Sequence, residues 1–356
     1  MTPGSRATAP AEGVVIGIDI GGTKVMGVRV GVGPDGGLDA DVGLDADAGL
    51  DAATGKAGEV PVALAEVKVP TPQRGSEVVQ RIAEVVGALT PDGERPAAIG
   101  VGIPGLVDVG GVLRFSPHLP GLVGIPIAEH LAGLAPGARV WVGNDATAAG
   151  WAEHLFGSGR GYTDQLMVTL GTGIGGGIVA GGRLTEGVHR YAGELGHMVI
   201  DPHGPLCPCG KQGCWERFAS GSGLGLLGRE AAVAGQAEAV VRLAGGDPEA
   251  VRGEHVTTAA GLGDPEARAI MGRFGWWLAL GLANLTNLLD PGVIVIGGGV
   301  IDAGEVLLGP TRLAFAELVE AGAQRSDVAI LPAALGPRAG AIGSGLLAAG
   351  QSAEVR

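Results

Sequence analysis

Short apolar runs, rich in β-branched residues and separated by glycine turns, dominate both halves of the chain. Val14 to Asp19 is such a run, a glycine turn follows at residues 21–24, and Val25 to Val30 is the next run. Runs of this length bounded by glycine are typical of strands. The second half repeats the order of strand, glycine turn and strand, at residues 165–170, 171–177 and 178–184. The sequence therefore predicts two similar α/β units.

The rest of the pattern predicts an alternation of strands and helices. Further β-branched runs predict strands at residues 63–69 and 97–103, around Val140 and Val142, and at residues 293–296. Apolar spacings of three and four predict helices at residues 76–89, after Asp145, from Asp264 to Leu289 and from about Arg338. The start at Asp264 combines a capping side chain with Pro265 at the first helical position.

Composition and charge narrow the class of protein. The 356 residues, 46% of them hydrophobic, leave room for two domains with aliphatic cores. The formal net charge of −13 disfavours nucleic acid or an anionic membrane surface as a partner. The longest apolar run, at residues 278–296, is interrupted by Asn284, Asn287 and Asp290, and no apolar leader precedes Val14. These features predict a cytoplasmic enzyme with reduced thiols.

The same pattern sets the expected domain limits. Residues 1–13 are expected to be a disordered tail, residues 14–143 an N-terminal α/β domain, and residues 144–337 a C-terminal α/β domain. Helix 338–350 is expected to complete the first domain. Residues 31–59 repeat Gly-Leu-Asp-Ala at 37, 43 and 49, and they are expected to form an acidic loop insert.

All cysteines of the chain lie within eight residues of one another: Cys207, Cys209 and Cys214. An odd number of thiols leaves one unpaired in a disulfide framework, and thiols one residue apart pair poorly. Three thiols and one imidazole make a tetrahedral zinc site, which we predict in the loop 197–216. His197 and His203 are both candidates for the fourth ligand. His197 is preferred because Glu194 precedes it by three residues and can face the same way.

Glycine turns after strands present backbone N–H groups that can hold phosphate oxygens. Two such turns, at residues 21–24 and 171–177, occupy equivalent places in the two halves. Either alone could be a plain hairpin, but the pair favours phosphate binding. Gly171, Gly173 and Gly176 also fit G-x-G-x-x-G, yet a strand follows rather than a helix, which argues against a Rossmann dinucleotide site. The sequence has no Walker A motif.

Asn144 and Asp145 lie where a predicted strand ends and a helix begins. In open α/β sheets, ligands bind at the carboxyl ends of strands. An aspartate in this place is often only a helix cap. Because the amide of Asn144 both donates and accepts, while the carboxylate of Asp145 accepts protons, the pair suits sugar hydroxyls. The positive end of the helix is expected to keep Asp145 ionised, as a general base requires.

Four motifs in order resemble the ROK family of bacterial sugar kinases and repressors, from about residue 14 to residue 345. They are DIGGTK at residues 19–24, NDA at 144–146, LGTGIGGG at 170–177, and ELGH at 194–197 followed by C-x-C-G-x-x-G-C-W-E at 207–216. The resemblance implies an actin-like (hexokinase-type) ATPase fold, with two α/β domains around a central cleft. It also implies an ATP-dependent sugar kinase of the glucokinase type, with ATP and Mg²⁺.

The resemblance further implies roles for individual residues. Asp145 would be the catalytic base, and the sugar would be bound by Asn144, Asp145, Glu194, His197, Glu216 and Gly105. A structural Zn²⁺ would be held by His197, Cys207, Cys209 and Cys214. The phosphates of ATP would be bound by Gly21, Gly22, Thr23, Lys24, Gly171, Thr172 and Gly173, with Gly297 and Gly298 near adenosine. Asp19 is a candidate to hold Mg²⁺ through water.

The family also supplies the alternatives. A repressor would need a winged helix-turn-helix before the first domain, and only 13 residues precede Val14. A sugar-binding regulator without catalysis is disfavoured by the intact Asp145. The acceptor could instead be fructose, mannose, N-acetylmannosamine or N-acetylglucosamine, and the donor could be polyphosphate. Thr147 replaces a second asparagine that is common in the family, with little expected effect. A homodimer or homotetramer is expected.

Overall fold

A computed structural model describes residues 13–30, 63–72 and 74–350. The predicted tail before Gly13 and the acidic insert 31–59 lie outside the described residues. In chain order the strands are β1 Val14–Ile20, β2 Lys24–Val30, β3 Ala63–Pro70, β4 Pro96–Ile103, β5 Leu106–Val107, β6 Leu113–Phe115, β7 Arg139–Asn144, β8 Gln165–Leu170, β9 Ile174–Ala180, β10 Arg183–Leu184, β11 Val293–Gly297 and β12 Ala329–Pro332. The helices are α1 Gly75–Leu89, α2 Ile127–Leu134, α3 Asp145–Phe156, α4 Glu216–Ala219, α5 Gly221–Val233, α6 Glu238–Leu243, α7 Gly253–Gly261, α8 Pro265–Leu289, α9 Glu305–Leu318 and α10 Ala339–Ala349.

The chain forms two compact units. Of the described residues, those up to 161, those at 177–192 and those from 334 onward form the first unit, and residues 162–176 and 193–333 form the second. The predicted division after residue 143 differs from this grouping, because α3 packs within the first unit. A Cβ atom at Gly343 in α10 would lie 1.8 Å from the carbonyl oxygen of Ala148 in α3, so these two helices are in backbone contact.

The first five-stranded sheet has the order β3-β2-β1-β4-β7. β1 pairs antiparallel with β2 and parallel with β4, and β4 pairs parallel with β7. The centre of this sheet is fully buried at Ile16, Ile18, Ile99 and Val101. Because Asp19 is in register with Gly102, and Gly102 with Gly143, the carboxyl ends of the three parallel strands share one edge. That edge carries Asp19 and the Asn144-Asp145 pair.

Helix α10 crosses β1 and β4 at backbone distance. A Cβ atom at Gly17 would lie 1.8 Å from the carbonyl oxygen of Ala341, and one at Gly100 would lie 1.8 Å from that of Ser344. The helix is built of small residues and is buried along nearly its whole length. It begins at Ala339, one residue after the start that the sequence predicts. Glycine in the strands and small residues in the helix therefore make this close packing possible.

Glu153 in α3 is fully buried and holds two separate passages of the chain together. Its Oε2 atom accepts hydrogen bonds from the backbone N–H groups of Ser158 (2.9 Å) and Ala334 (3.1 Å). Its Oε1 atom accepts another from Leu335 (2.7 Å). Ser158 lies shortly before the point where the chain first leaves the first unit, and Ala334 is where the chain returns to it. The three donors satisfy a carboxylate that burial would otherwise make costly.

The second five-stranded sheet has the order β10-β9-β8-β11-β12. β11 pairs parallel with both β8 and β12, and its residues Val293 to Ile296 are fully buried. Helix α8 begins as predicted, because Asp264 accepts a hydrogen bond from the N–H of Ala267 (2.8 Å) and Pro265 is the first helical residue. Among the described helices, none is long and apolar enough to cross a membrane.

The second glycine turn is shorter than the sequence predicts. β9 begins at Ile174, so the turn comprises only residues 171–173, and Gly175 to Gly177 lie within the strand. The predicted return strand 178–184 is interrupted at Gly181 and Gly182, after which β10 is a separate short strand. The glycines in β9 serve close packing, since a Cβ atom at Gly176 would lie 2.4 Å from Cδ1 of Leu195.

Candidate active site

Asn144 and Asp145 have different positions at the junction of β7 and α3. Asn144 is the helix cap, because its Oδ1 atom accepts from the N–H of Thr147 at 3.0 Å. Its Nδ2 atom donates to the carbonyl oxygen of Gly105 at 3.3 Å. Asp145 is the first helical residue, and its Oδ1 atom accepts a hydrogen bond from the adjacent N–H of Ala146 (2.9 Å). The capping role considered for Asp145 therefore belongs to Asn144, which leaves the carboxylate for other partners.

The two carboxyl groups at this edge of the sheet have unusual proton affinities. Burial raises the pKa of Asp145, which outweighs the hydrogen bond from Ala146 and the nearby His118. Burial, and then repulsion from Asp145, raises the pKa of Asp19 to about 8, while Lys24 acts against both. The expectation that the helix end keeps Asp145 fully ionised is therefore opposed by desolvation. The burial of Asp145 arises from tertiary packing, so the local sequence does not reveal that desolvation raises its pKa more than the helix end lowers it.

Asp19 has a carboxylate oxygen that lacks a hydrogen-bond donor in the part of the chain that the structure describes. Its Oδ1 atom is buried and accepts no hydrogen bond among the described residues. Its Oδ2 atom lies close to α10, where a Cβ atom at Gly340 would be 2.9 Å away. A buried carboxylate oxygen without a donor is costly unless a cation or water meets it. The residue therefore fits a role in holding a hydrated Mg²⁺ ion.

The first glycine turn is held by Thr71, a residue that no sequence motif marks. The N–H of Gly21 donates to the carbonyl oxygen of Lys24 at 2.8 Å. Thr71, which follows β3, donates its hydroxyl to Gly21 O (2.7 Å) and its N–H to Thr23 O (3.1 Å). Among the described residues, no atom beyond its chain neighbours lies within 4 Å of the place where Gly22 would carry a Cβ, so this side of the turn is open to a ligand.

The second glycine turn borders a cavity of about 540 Å³ in the second unit. The N–H of Gly171 donates to Gly173 O (3.0 Å), and the N–H of Gly221, at the start of α5, donates to Gly171 O (2.8 Å). The cavity is lined by the turn, by the first residues of α5 and α7, and by the segment after β11, at Gly171, Thr172, Gly221, Ser222, Arg229, Arg252, Gly253, Glu254, Thr257, Gly299 and Val300. Two helix N-termini and a glycine turn on one cavity make an environment suited to phosphate.

Most of these lining residues were not foreseen from the sequence. They come from helices far along the chain from the glycine turn, and no local motif marks them. The predicted pair Gly297 and Gly298 lies next to the lining residues Gly299 and Val300. Gly298 has a φ of 85°, and its missing Cβ would lie 2.4 Å from the carbonyl oxygen of Leu170. Its role is therefore to let β11 end close against β8.

His197 and the three cysteines form a cluster whose ligand atoms all lie within 4.8 Å of one another. The Sγ atoms of Cys209 and Cys214 are 3.6 Å apart, and Sγ of Cys207 is 3.8 Å from Nδ1 of His197. A tetrahedral zinc ion with bonds near 2.3 Å keeps its sulfurs about 3.8 Å apart. The donor set and its spacing therefore fit one zinc ion. His203, the alternative ligand, is exposed and lies outside this cluster.

Two carboxylates flank His197, one on each ring nitrogen. Oε2 of Glu194 lies 3.7 Å from Nε2, and Oε1 of Glu216 lies 3.7 Å from Nδ1. The thiol of Cys207 donates to Oε1 of Glu216 at 3.0 Å, and burial together with this carboxylate raises the pKa of that thiol. The ring therefore presents Nδ1 to the cysteines and Nε2 to Glu194, which allows one histidine to serve a metal and a second ligand.

Trp215 anchors the same loop and was also missed from the sequence. It is fully buried between Cys214 and Glu216 in the chain, and its Nε1 atom donates to the carbonyl oxygen of Trp277 in α8 at 2.9 Å. A Cβ atom at Gly281 would lie 2.0 Å from its ring. Its backbone N–H donates to Met198 O at 2.8 Å. The loop is thus fixed to α8 by an aromatic side chain.

Each unit holds its own share of the predicted site residues. The first unit contains Asp19, Gly21, Gly22, Thr23, Lys24, Gly105, Asn144 and Asp145, and the second contains Gly171, Thr172, Gly173, Glu194, His197, Cys207, Cys209, Cys214, Glu216, Gly297 and Gly298. Within each unit these residues gather at the sheet edge, glycine turn or loop described above.

Comparison with known proteins decides which family this architecture represents. The sequence model of the ROK family matches residues 50–351. The chain belongs to the ROK family. The resemblance that the four motifs carry is therefore confirmed.

Curated relatives of this ROK protein include two kinds of sugar kinase. Glucokinase of Streptomyces coelicolor is 35% identical over 340 residues, which cover 94% of this chain and 98% of the relative. Glucokinase of Thermotoga maritima is 40% identical over 237 residues, 66% of this chain and 74% of that protein. N-acetylmannosamine kinase of Shigella flexneri is 32% identical over 328 residues, 90% of this chain and 97% of that protein.

Solved structures confirm the fold class of this ROK protein. A ROK family glucokinase from Streptomyces griseus, in complex with glucose and AMPPNP, superposes with a TM-score of 0.77 at 35% identity, covering 94% of this chain and 99% of that one. A ROK hexokinase from Thermus thermophilus gives 0.69 at 32% identity, covering 94% and 97%. The predicted α/β class, the actin-like ATPase fold, is therefore confirmed.

Proposed function

We propose that this ROK protein is an ATP-dependent glucokinase, which transfers the γ-phosphoryl group of ATP to the 6-hydroxyl of glucose. The observation that carries the proposal is Asp145, a half-buried carboxylate at the end of a strand. Its neighbour Asn144 caps the helix, and desolvation raises the pKa of Asp145. Support also comes from the likeness to glucokinases along nearly the whole chain.

Asp145 is proposed as the general base. Its carboxylate accepts the proton of the 6-hydroxyl while that oxygen attacks the γ-phosphorus, and the leaving group is ADP. A pKa raised by burial makes Asp145 a stronger base than an exposed aspartate, provided it is ionised at the working pH. Asp19 is proposed to hold hydrated Mg²⁺, because its buried Oδ1 atom lacks a donor among the described residues. When bound, Mg²⁺ neutralises charge on the transferred group.

The nucleotide is proposed to bind in the cavity beside Gly171 and Thr172. The N-termini of α5 and α7 and the backbone of the glycine turn offer N–H groups to phosphate oxygens. The first turn, Gly21 to Lys24, is also proposed to bind phosphate, since its Gly22 side is open among the described residues. Gly297 and Gly298 are proposed to shape the floor near adenosine by bringing Gly299 and Val300 to the cavity.

The sugar is proposed to be bound by polar side chains. Asn144, Glu194, His197 and Glu216 offer donors and acceptors that match vicinal hydroxyl groups. Gly105 acts through its backbone, because its carbonyl oxygen accepts from Asn144 and fixes that amide. The zinc ion is proposed to be structural, since His197, Cys207, Cys209 and Cys214 would fill all four positions of a tetrahedral site.

A coupled assay of ADP release tests the proposal. The purified protein is offered glucose, fructose, mannose, N-acetylmannosamine and N-acetylglucosamine with ATP, and a second series replaces ATP by polyphosphate, read by sugar phosphate formed. We expect the highest kcat/KM for glucose with ATP. The main rival is an N-acetylmannosamine kinase, because such a relative is 32% identical over 97% of its own length. A preference for that amino sugar, or no turnover of any hexose, would reject the glucokinase assignment.

Two further properties stay predictions. The cytoplasmic location is tested by fractionating cells of the source organism and following the activity. The homodimer or homotetramer is tested by light scattering on the purified protein. Neither result changes the chemistry proposed for Asp145.

A further inference from the structure

The second glycine turn rests directly on the metal-bearing loop, which we define as residues 193–216. A Cβ atom at Gly173 would lie 2.5 Å from Oε2 of Glu216, and one at Gly196 would lie 2.3 Å from the carbonyl oxygen of Ile174. A Cβ atom at Gly176 would meet both Leu195 and the carbonyl oxygen of Gly193. The absence of a side chain at Gly173, Gly176 and Gly196 therefore allows the turn and strand β9 to approach the metal-bearing loop. This packing role is separate from phosphate binding.

Glu216 joins the two segments through its two oxygens. Oε1 contacts the cluster, at 3.0 Å from Sγ of Cys207 and 3.7 Å from Nδ1 of His197. Oε2 accepts from the N–H of Ile174, the first residue after the turn, at 3.4 Å. The side chain is only 13% exposed, so the link is sheltered from water. A shift of the cluster therefore moves the carboxylate that supports the turn.

The other side of the turn faces the cavity. Gly171 and Thr172 line it, and Gly171 O also accepts from the N–H of Gly221 at the start of α5. One continuous path of contacts thus runs from the cysteines through Glu216 to the turn and the cavity. All of its residues lie in the second unit.

We propose that the metal-bearing loop positions the second glycine turn, so that metal occupancy of the cluster sets the affinity for the nucleotide as well as for the sugar. Glu216 and Gly196 are the positioning residues of this coupling. The proposal rests on the nucleotide role assigned to the cavity. It extends that assignment, because the metal would change the affinity for the nucleotide without contacting it.

Binding measurements without sugar test the coupling. Calorimetry follows a non-hydrolysable ATP analogue with Mg²⁺ on the zinc-loaded protein and on protein treated with a zinc-selective chelator. Removal of zinc is expected to weaken analogue binding about tenfold, within the usual range of coupling between two sites. Because coupling is reciprocal, the analogue must strengthen zinc binding by the same factor, measured by competition with a chromogenic chelator. Circular dichroism checks that the chelated protein remains folded.

Variants separate the coupling from a general loss of structure. Gly196→Ala presses a methyl group on Ile174 O but keeps all four metal ligands, so it should bind one zinc ion and yet bind the analogue at least about fivefold more weakly. Gly272→Ala in α8 is the matched control, because no atom of the described chain outside its own helical turn lies within 4 Å of its Cβ position. Glu216→Gln should weaken both sugar and analogue, whereas Glu194→Gln, on the other nitrogen of His197, should weaken the sugar only.

The outcomes distinguish this proposal from the proposed function. If zinc removal and Gly196→Ala both leave analogue affinity within twofold of the parent, the coupling is wrong while the kinase assignment stands. If the analogue does not bind the zinc-loaded protein at all, the nucleotide assignment of the cavity fails, and this inference fails with it. Failure to phosphorylate glucose, with coupled analogue binding intact, rejects only the sugar.

Discussion

At the scale of single residues, the two carboxyl groups at the end of β1 and β7 hold the proposed chemistry. Asn144 caps α3, so Asp145 is left available to a substrate hydroxyl. Asp19 retains a buried oxygen without a donor among the described residues. Both groups are unfavourable to the folded protein on their own, which is common for residues kept for function.

Replacing Asp145 by asparagine is expected to reduce kcat for glucose by about 100-fold or more, since a general base contributes that much. Glucose affinity should change little, because the amide keeps the shape of the side chain. Steady-state kinetics and calorimetry with glucose measure the two effects. Asp264→Asn, where asparagine can cap α8 as well as aspartate does, is the control with unchanged turnover. Turnover within tenfold of the parent would remove Asp145 from the role of base.

Asp19→Asn is expected to raise the melting temperature of the Mg²⁺-free protein. Burial and Asp145 raise the pKa of Asp19 from its ordinary value of 3.8 to about 8. The folded state therefore binds this proton more tightly than the unfolded state, and stability falls as pH rises from about 4 to 8. The asparagine removes that loss, so at pH 8.5 the variant should melt at least about 2 °C higher, with a smaller difference at pH 5. A lower melting temperature at pH 8.5 would contradict the raised pKa.

At the scale of elements, close packing explains which glycines lie in turns, as predicted, and which lie inside strands instead. The β-branched runs and the Asp264-Pro265 start predicted strands and helix α8 well, because local preference and tertiary packing agree there. The turn 171–177 was predicted too long, because Gly176 is in β9 to make room for Leu195. The cavity walls from α5 and α7 could not be predicted, since residues far apart in sequence meet there only after folding.

A matched pair of glycine substitutions tests this account of the elements. Gly100→Ala would place its Cβ atom 1.8 Å from a carbonyl oxygen of α10, and we expect a loss of about 3 kcal/mol in the free energy of unfolding. Gly87→Ala in α1 meets no atom within 4 Å from the other helices and strands that the structure describes, and it should stabilise the protein by about 0.5–1 kcal/mol. Urea denaturation of both variants gives the comparison. Equal effects would mean that α10 does not lie on β4 at backbone distance.

The metal-bearing loop gives a second prediction at this scale. We expect about one zinc ion per chain by elemental analysis, since four ligands lie together. Cys209→Ser should lose the metal and weaken glucose binding, because Glu194, His197 and Glu216 then lose their fixed geometry. Lys211→Ala, in the same loop but outside the cluster, should keep both. Purified protein without zinc, yet with full glucose affinity, would show that Trp215 alone holds the loop.

At the scale of the whole molecule, the first unit is assembled from parts of the chain that are far apart. Its sheet comes from residues before 161, while α10, which covers β1 and β4, begins at Ala339. Glu153 ties these parts together through Ser158, Ala334 and Leu335. The second unit lies between them in the sequence and is itself interrupted by residues 177–192, which belong to the first unit. Neither unit is therefore one continuous piece.

Removal of the chain from Arg338 onward is therefore expected to prevent stable folding of the first unit. The truncation uncovers the glycines of β1 and β4 and leaves their apolar neighbours in water. We expect the shortened protein to be insoluble or to expose apolar surface that binds a fluorescent dye. A chain that ends at Gly350 keeps α10 and should fold like the parent. A soluble truncated protein with the parent's circular dichroism would contradict this role of α10.

The position of α10 also sets an order for biosynthesis. The ribosome releases β1 and β4 long before it releases the helix that their glycines are shaped to receive. The face of β1 and β4 that packs against α10 therefore remains exposed to solvent while the second unit is synthesised. During this delay the exposed apolar surface can aggregate, and it is a defined binding site for chaperones on the nascent chain.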